Sequence, residues 1–256
     1  MEKVCIVIPA YNEERRIGKT LEAYLTYFEI LRKDKKLDYE ILVVINNTKD
    51  GTEEIVKRYV RENNRIRYLN LIRGGKGYAV IEGFKDALKR DNDLIGFVDA
   101  DMATSPEKYF KLIKNVEKCD GVIASRGLKD SKVKTTLYRK LTNRGFNTLV
   151  RLLLHIQFKD TQCGAKLFKR KTIEELLKSQ IMTQLAFDVD LLYKLKKVKI
   201  KEIATDWEDK TGSKVNLKDP LKMFSSVIRL RLIYSPFKFV VKVYDKLPER
   251  IKIHGL

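Results

Sequence analysis

Phe97-Val98-Asp99-Ala100-Asp101-Met102-Ala103-Thr104-Ser105-Pro106 is the stretch around which this 256-residue chain is organised. The apolar run Leu94-Ile95-Gly96-Phe97-Val98 predicts a buried strand, and Ser105-Pro106-Glu107 predicts the start of a helix. Two carboxylates therefore arrive where the strand ends. In extended backbone, residues i and i+2 share a side, so Asp99 and Asp101 are expected to face one ligand. Like charges held that close repel unless a cation or a proton relieves them. A hard divalent ion answers this, because Mg²⁺ takes one or two carboxylates together with substrate phosphates. An isolated Asp-X-Asp would read more simply as an acidic turn capping the next helix. Here the surroundings decide.

Working outward, strand-like runs alternate with helical periodicity. Lys3-Val4-Cys5-Ile6-Val7-Ile8-Pro9 has the unbroken apolar character of a parallel strand buried on both faces. It runs into Ala10-Tyr11-Asn12-Glu13-Glu14, after which Ile17, Leu21, Tyr24, Leu25 and Phe28 recur at helical spacing. A second strand, Glu40 to Ile45, closes in Asn46-Asn47-Thr48-Lys49-Asp50-Gly51-Thr52, where Thr52 is a candidate helix cap. Arg65 to Leu71 reads as a third strand, Tyr78 to Lys89 as a third helix, and Asp120 to Arg126 as a further strand with Arg126 at its end. This is the pattern of an open, mostly parallel α/β sheet flanked by helices, in which ligands bind outside the carboxyl ends of the strands.

Composition bounds the partners. With 53 Lys+Arg against 34 Asp+Glu, the net charge of +19 calls for an anionic partner: nucleic acid, an anionic membrane surface or a phosphorylated substrate. A non-catalytic nucleic-acid binder would have no use for paired acids at a strand end, and on that ground it is set aside. Three cysteines without CxxC spacing argue against zinc or a disulfide framework and suit a reducing compartment. No signal peptide is visible, and no stretch approaches the ~20 apolar residues of a spanning helix. Any membrane contact is expected from the surface.

Further along, Arg73-Gly74-Gly75-Lys76-Gly77 matches neither a P-loop nor Gly-x-Gly-x-x-Gly, but its glycines permit close backbone approach and Lys76 is a candidate phosphate partner. From Lys129 to Arg144 six cations accompany one acid, either a solvated basic face or a loop and helix that grip a phosphate. Phe158 to Phe168 reads as a turn feeding a strand, and Ala186 to Leu192 as a helix carrying Asp188 and Asp190. Trp207 is the only tryptophan. From Pro220 the composition shifts: Met223, Val227, Leu230 and Tyr234 recur at helical spacing among Lys222, Arg229 and Arg231, and Ser235-Pro236 breaks the run before Phe237 to Tyr244. Packing on the main domain and lying in a membrane interface suit this segment equally well.

Taken together, these motifs resemble family 2 glycosyltransferases of the GT-A fold, and within them the polyprenyl-phosphate sugar synthases. Val7 to Glu14 is similar to the family's opening strand and nucleotide-binding turn, Gly75-Lys76-Gly77 to its glycine-lysine turn, and Asp99-Ala100-Asp101 to its metal motif. Ser125-Arg126, Asp160 to Phe168, Ala186 to Asp190, and Trp207-Glu208 followed by Gly212-Ser213-Lys214 resemble the dolichyl-phosphate glucosyltransferase branch in particular. The resemblance implies a GT-A catalytic domain over residues 1–215 and C-terminal amphipathic helices over 216–256.

It also implies an inverting transfer of a hexose from a UDP- or GDP-sugar to a polyprenyl or dolichyl phosphate. The cofactor would be Mg²⁺ or Mn²⁺ on Asp99 and Asp101. Pro9, Ala10, Tyr11, Glu13, Asn46, Lys76, Asp99, Ala100 and Asp101 would meet the nucleotide sugar. Asp101, Arg126, Arg139 and Asp160 are the catalytic candidates, with Arg126, Arg139, Gln162, Asp188 and Trp207 on the acceptor side. The expected location is cytoplasmic, peripheral on the inner face of a membrane, with a membrane partner subunit left open and no nucleic acid. A family 2 transferase acting on a glycan or glycolipid hydroxyl is the alternative, with Asp160 or Asp188 as base. One departure stands out: relatives usually carry Val-Val-Asp-Asp-Gly-Ser where this chain has Val43-Val44-Ile45-Asn46-Asn47-Thr48, so Asn46 is left to offer an amide to the base.

Overall fold

The computed structural model describes residues 1–179, 181, 186–208 and 218–245. In chain order the elements are β1 (Lys3–Ala10), α1 (Ile17–Lys33), β2 (Asp38–Asn46), α2 (Thr52–Glu62), β3 (Ile66–Leu71), α3 (Lys76–Ala87), β4 (Leu94–Val98), α4 (Pro106–Lys114) and β5 (Gly121–Ser125). Next come β6 (Val133–Lys134), α5 (Leu137–Leu154), β7 (Ala165–Lys169), α6 (Arg170–Leu177), α7 (Phe187–Lys194), β8 (Ile200–Ala204), β9 (Trp207–Glu208), α8 (Lys218–Ile233) and α9 (Lys238–Asp245). Gly212-Ser213-Lys214 and the boundary expected at 215/216 lie outside the described residues.

Seven strands form one sheet in the order β3-β2-β1-β4-β7-β5-β8. All neighbours are parallel except β7, which runs antiparallel between β4 and β5. A parallel β6–β9 pair forms a separate two-stranded sheet. The period of two along the central strands builds two cores. Val4, Ile6 and Ile8 of β1 and Ile41, Val43 and Ile45 of β2 face one, together with Tyr24 and Phe28 of α1. Cys5 and Val7, with Leu42 and Val44, face the other, which is completed by Phe84 of α3, Phe187 and Leu191 of α7, and Val227 and Leu230 of α8. A strand apolar on every residue is thus explained: both faces are covered by helices. Each fully buried Ile, Val or Phe contributes about 1.5–3 kcal/mol, so these strands fix the scaffold on which the polar loops at their ends are held.

The strand between α1 and α2 ends in the segment that departs from the family pattern, and there the expected cap is reassigned. Thr52 is the first residue of α2, with Gly51 in the cap position. Its hydroxyl instead accepts the backbone N–H of Glu13 at 2.8 Å, while Thr48 Oγ1 accepts that of Asn12 at 2.8 Å. The two loops are laced together: hydroxyls of the second accept N–H groups of the first, and the Asn12 amide oxygen and Glu14 carboxylate of the first accept the N–H groups of Lys49 and Gly51 in the second.

α8 buries Val227 and Leu230, and Tyr234, just past its end, stacks on Tyr193 of α7 with ring centroids 4.4 Å apart. Phe237, Phe239 and Val240, at the start of α9, are exposed. Among the described residues no helix is long and apolar enough to cross a membrane.

Candidate active site

At the carboxyl ends of β1, β2 and β4 lies an open cleft of about 540 Å³. Pro9, Tyr11 and Glu13 line it from the first loop, Asn46 and Asn47 from the second, Gly75 and Lys76 from the start of α3, and Asp99, Ala100 and Asp101 from the end of β4. Both carboxylates line this cleft, and the backbone that places them there is not extended. β4 stops at Val98, and Ala100 and Asp101 are already in a turn, with Met102 at φ 60°. That turn, tied by the Ala103 N–H donating to Asp101 Oδ1 at 2.9 Å, brings both acids to the cleft in place of the expected extended backbone.

Asp99 is positioned from beneath. Its N–H donates to the Gly164 carbonyl at 3.0 Å, and a Cβ at position 164 would overlap Asp99 Oδ2. Only glycine lets the loop before β7 lie this close. Lys76 Nζ sits 2.6 Å from Asp99 Oδ1 and 3.8 Å from Asp188 Oδ2. Partial burial disfavours its charge, but Asp99 and then Asp188 outweigh that and hold the ammonium above the ordinary lysine range. Asp188, on the first turn of α7, accepts from Lys166 Nζ at 2.6 Å. Burial pushes its carboxyl up, yet Lys166 and Lys76 together pull it below the usual range. Lys166, fully buried in β7, also donates to the Cys163 carbonyl at 2.6 Å. Asp99, Lys76, Asp188 and Lys166 therefore form one alternating chain of charges running from the cleft into the core.

A second fixed pair lies beside it. Arg126, just past β5, donates to Asp160 through Nε at 2.6 Å, Nη2 at 2.9 Å and its backbone N–H at 2.9 Å. The Trp207 ring lies under the guanidinium at 5.3 Å. Burial opposes ionisation of Asp160, but Arg126 holds it below the ordinary carboxylate range. A carboxylate so bound is a poor proton acceptor. The expectation that Asp160 could serve as a general base is therefore corrected to that of an anchor for Arg126.

Four other candidates are placed as follows. Ala10 is fully buried and offers its carbonyl to Asn46 Nδ2 at 3.1 Å. Asn46 in turn accepts the Gly75 N–H at 3.1 Å through Oδ1, so both ends of its amide serve the scaffold where a base contact was expected. Gly75 adopts φ 125° at this junction, a conformation that L side chains avoid. Gln162 lies with Nε2 3.8 Å from Met223 Sδ, outside the cleft lining. Arg139, in the first turn of α5, is half-buried and lines neither this cleft nor the basic cavity beside α5.

Some site residues were missed from sequence. Asn47 is exposed and lines the cleft, and Arg16 lines it while clasping Glu13 through Nε at 2.6 Å and Nη2 at 2.7 Å. Burial, opposed by Arg16 and aided by Asp101 and Asp99, holds the Glu13 carboxyl above its ordinary value. The signal for Lys166 was a lysine set inside the apolar run Ala165-Lys166-Leu167-Phe168, where a cation persists only if paired.

An α/β sheet with two acids, a lysine and a glycine turn at its carboxyl edge is of the class of open α/β proteins whose ligand sites lie at that edge. The family model for glycosyl transferase family 2 matches residues 5–177. A dolichyl-phosphate beta-glucosyltransferase of Trichomonas vaginalis is 35% identical over 244 residues, covering 90% of this chain and 73% of that protein. The dolichyl-phosphate beta-glucosyltransferase of Homo sapiens is 32% identical over 249 residues, covering 91% and 76%. Among solved structures, the glucosyl-3-phosphoglycerate synthase of Mycobacterium tuberculosis, in complex with Mn²⁺, uridine diphosphate and glucosyl-3-phosphoglycerate, superposes with a TM-score of 0.64 at 19% identity, covering 90% of this chain and 79% of that one. The chain belongs to glycosyl transferase family 2.

Proposed function

We propose that this glycosyltransferase moves a hexose, glucose before others, from a nucleotide diphosphate sugar to a polyprenyl or dolichyl phosphate, with inversion at the anomeric carbon. The observation that carries the reading is the cleft itself: Asp99 and Asp101 face the turn bearing Pro9, Tyr11 and Glu13 at the carboxyl edge of the sheet. Relatives that carry this activity by name align over nine-tenths of the chain.

The donor set fits a hard divalent ion. Asp99 and Asp101 stand side by side in the sequence pattern and both line the cleft, with Glu13 held by Arg16, and among the described residues no cluster of three or more His, Cys, Asp or Glu could enclose a metal by itself. The remaining positions would be filled by phosphate oxygens and water, which is how Mg²⁺ and Mn²⁺ sites at substrate phosphates are built. When bound, such an ion stabilises the charge that develops on the leaving nucleoside diphosphate. Lys76 supplies a further cation at the same edge, and Asp188 holds it there. Tyr11, half-exposed at the cleft, offers a ring face to a nucleobase, with the Asn47 amide beside it.

A lipid phosphate is anionic near neutrality and needs no strong base to attack. With Asp160 locked to Arg126 and Asp188 between two lysines, neither acid is free to take a proton from a sugar hydroxyl. That favours the phosphate acceptor over a glycan hydroxyl. The +19 charge suits a peripheral position on the cytoplasmic face of a membrane.

The test is a donor screen. Purified protein is given Mg²⁺ or Mn²⁺, a short polyprenyl phosphate and a panel of UDP- and GDP-sugars, and nucleoside diphosphate release is measured. Release that requires metal and lipid phosphate together is the expected result. Release that ignores the lipid phosphate would return the acceptor to a hydroxyl.

A further inference from the structure

The last residues before β7, Lys159 to Gly164, belong to no helix or strand, yet they join the two halves of the site. At one end Asp160 holds Arg126 by three hydrogen bonds. At the other, the Gly164 carbonyl accepts the Asp99 N–H at 3.0 Å, and its Cα lies so near the Asp99 carboxylate that no side chain fits between them. The separation of the Arg126 guanidinium from Asp99 therefore depends on the shape of this loop.

A loop outside any ladder must find other partners for its N–H groups. Here four successive amides go to side chains. Glu202 of β8 accepts the Lys159 N–H through both carboxylate oxygens at 3.0 Å and the Asp160 N–H at 3.2 Å. Asn147 of α5 accepts the Thr161 N–H at 2.9 Å and the Thr161 hydroxyl at 3.0 Å, both through Oδ1. The Gln162 N–H donates to Asp160 Oδ1 at 3.1 Å. Asn147 and Thr161 are buried, and Asn147 Nδ2 donates to the Asn143 carbonyl one turn back at 3.0 Å, so the amide is fixed from both ends. On a further side, a Cβ at Gly127 would stand 2.9 Å from the Lys159 carbonyl oxygen, which shows how closely the loop after β5 closes on this one. Plain stability is the simpler account of any one such bond. Four in succession, drawn from two elements onto the residues between Arg126 and Asp99, do more: they fix a distance across the site.

We propose that Asn147 and Glu202 are positioning residues of the transfer reaction: they hold loop 159–164 in one shape and so hold Arg126 in register with Asp99. Neither residue lines the donor cleft. They act through Asp160 and Gly164. The tasks of Arg126 and Asp99 are those of the function proposed above, on which this inference rests, whereas the placing of Arg126 by the two side chains is a matter of geometry alone. When groups are held in attack geometry, a misplacement of about 1 Å costs on the order of 10²-fold in rate.

Trp207 makes the placing of Arg126 measurable without substrate. It is the only tryptophan, and its ring lies 5.3 Å from the Arg126 guanidinium, so its fluorescence reports that contact. Asn147→Leu and Glu202→Leu in the full chain are compared with Asn147→Asp and Glu202→Gln, which keep an acceptor oxygen. The control is Val56→Ala, which opens a cavity beneath α2, at the opposite end of the sheet from β8. Both leucine variants are expected to shift the Trp207 emission and to raise its quenching by acrylamide. With the donor and acceptor that the screen selects, they should lower kcat and kcat/KM together by on the order of 10²-fold, the mark of geometry realised in the transition state. The two conservative variants should recover most of both effects. Val56→Ala should lower Tm while leaving emission and kcat as in the parent. Should the buried Asn147→Leu fail to fold, the half-buried Glu202 carries the test. Unchanged emission in a folded leucine variant, the same shift in Val56→Ala, no recovery in Glu202→Gln, or a raised KM at unchanged kcat would overturn the proposal. An emission response without transfer to any polyprenyl phosphate would instead sink the function proposed above and leave the placing of Arg126 standing.

Discussion

Lys166→Met tests whether the buried charge chain is organised as described. Methionine keeps the length and most of the volume of the lysine stem, which packs beside the Phe97 ring with Nζ 5.2 Å from its centroid. What is lost is the ammonium, and with it the 2.6 Å contacts to Asp188 and to the Cys163 carbonyl. Asp188 then keeps only Lys76, 3.8 Å away and half-exposed. Breaking one partner of a buried pair typically costs about 3–5 kcal/mol, because the other charge is left uncompensated. For a chain of this length that is a fall in Tm of roughly 6–20 °C. Urea and thermal melts followed by far-UV circular dichroism would measure it. Lys166→Met/Asp188→Asn removes both charges and should recover at least half of the loss.

The pH dependence has a fixed sign. The Asp188 carboxyl lies below its ordinary value in the folded chain, so its contribution is present above the unfolded carboxylate pKa of about 4 and is lost as pH falls through the lower folded value. The gap between parent and Lys166→Met is thus full at neutrality and narrows on acidification. A single variant within about 1 kcal/mol of the parent, or a double variant no better than the single, would refute the assignment.

The remaining predictions concern the site. Asp101→Asn should lower transfer by at least about 10³-fold with an unchanged melt, the scale expected when charge stabilisation of a leaving group is withdrawn; substantial residual turnover would remove Asp101 from the metal site. Gly164→Ala forces a methyl onto the Asp99 carboxylate, so it should lower kcat about 100-fold, as misplacements near 1 Å do, and weaken Mn²⁺ binding in the presence of nucleotide. Parental Mn²⁺ titration in that variant would contradict the close packing. Trp207→Leu removes the ring beneath Arg126 and should raise the acceptor KM about two- to fivefold, the worth of a weak cation–π contact, with little change in the donor KM. A donor KM that moves as much would place Trp207 elsewhere.

The sheet was legible in sequence because its central strands are apolar on every residue, a pattern that only a strand covered on both faces requires. β7 was legible as a strand but not as the antiparallel member, since direction is set by how the preceding loop returns to Asp99 and by no local periodicity. The site divided along similar lines. Residues recognised by type and position at a strand end, such as Asp99, Asp101 and Lys76, line the cleft. Pairings with a partner far along the chain were not legible: Asp160 with Arg126, Ala10 with Asn46, and Lys166 with Asp188. A hydrogen bond across 22, 34 or 36 positions leaves no mark at either end that a spacing rule can find.

Asn46 is likewise defined by distant partners. In place of the usual acid, the chain carries an amide, and a carboxylate could not do both of its jobs, because accepting from Gly75 N–H and donating to the Ala10 carbonyl needs one acceptor and one donor on the same side chain. Asn46→Asp would therefore keep the Gly75 bond and set a carboxylate oxygen against the Ala10 carbonyl, with no donor between them. Two acceptors facing each other in a buried site cost about 1–3 kcal/mol unless the carboxyl is protonated or the loop shifts. The expected outcome is a less stable protein with weaker nucleotide binding, even though the change moves the sequence toward its relatives. If Asn46→Asp instead bound a nucleotide donor more tightly at unchanged stability, the amide would be a tolerated substitution, and the base would be read at this position after all.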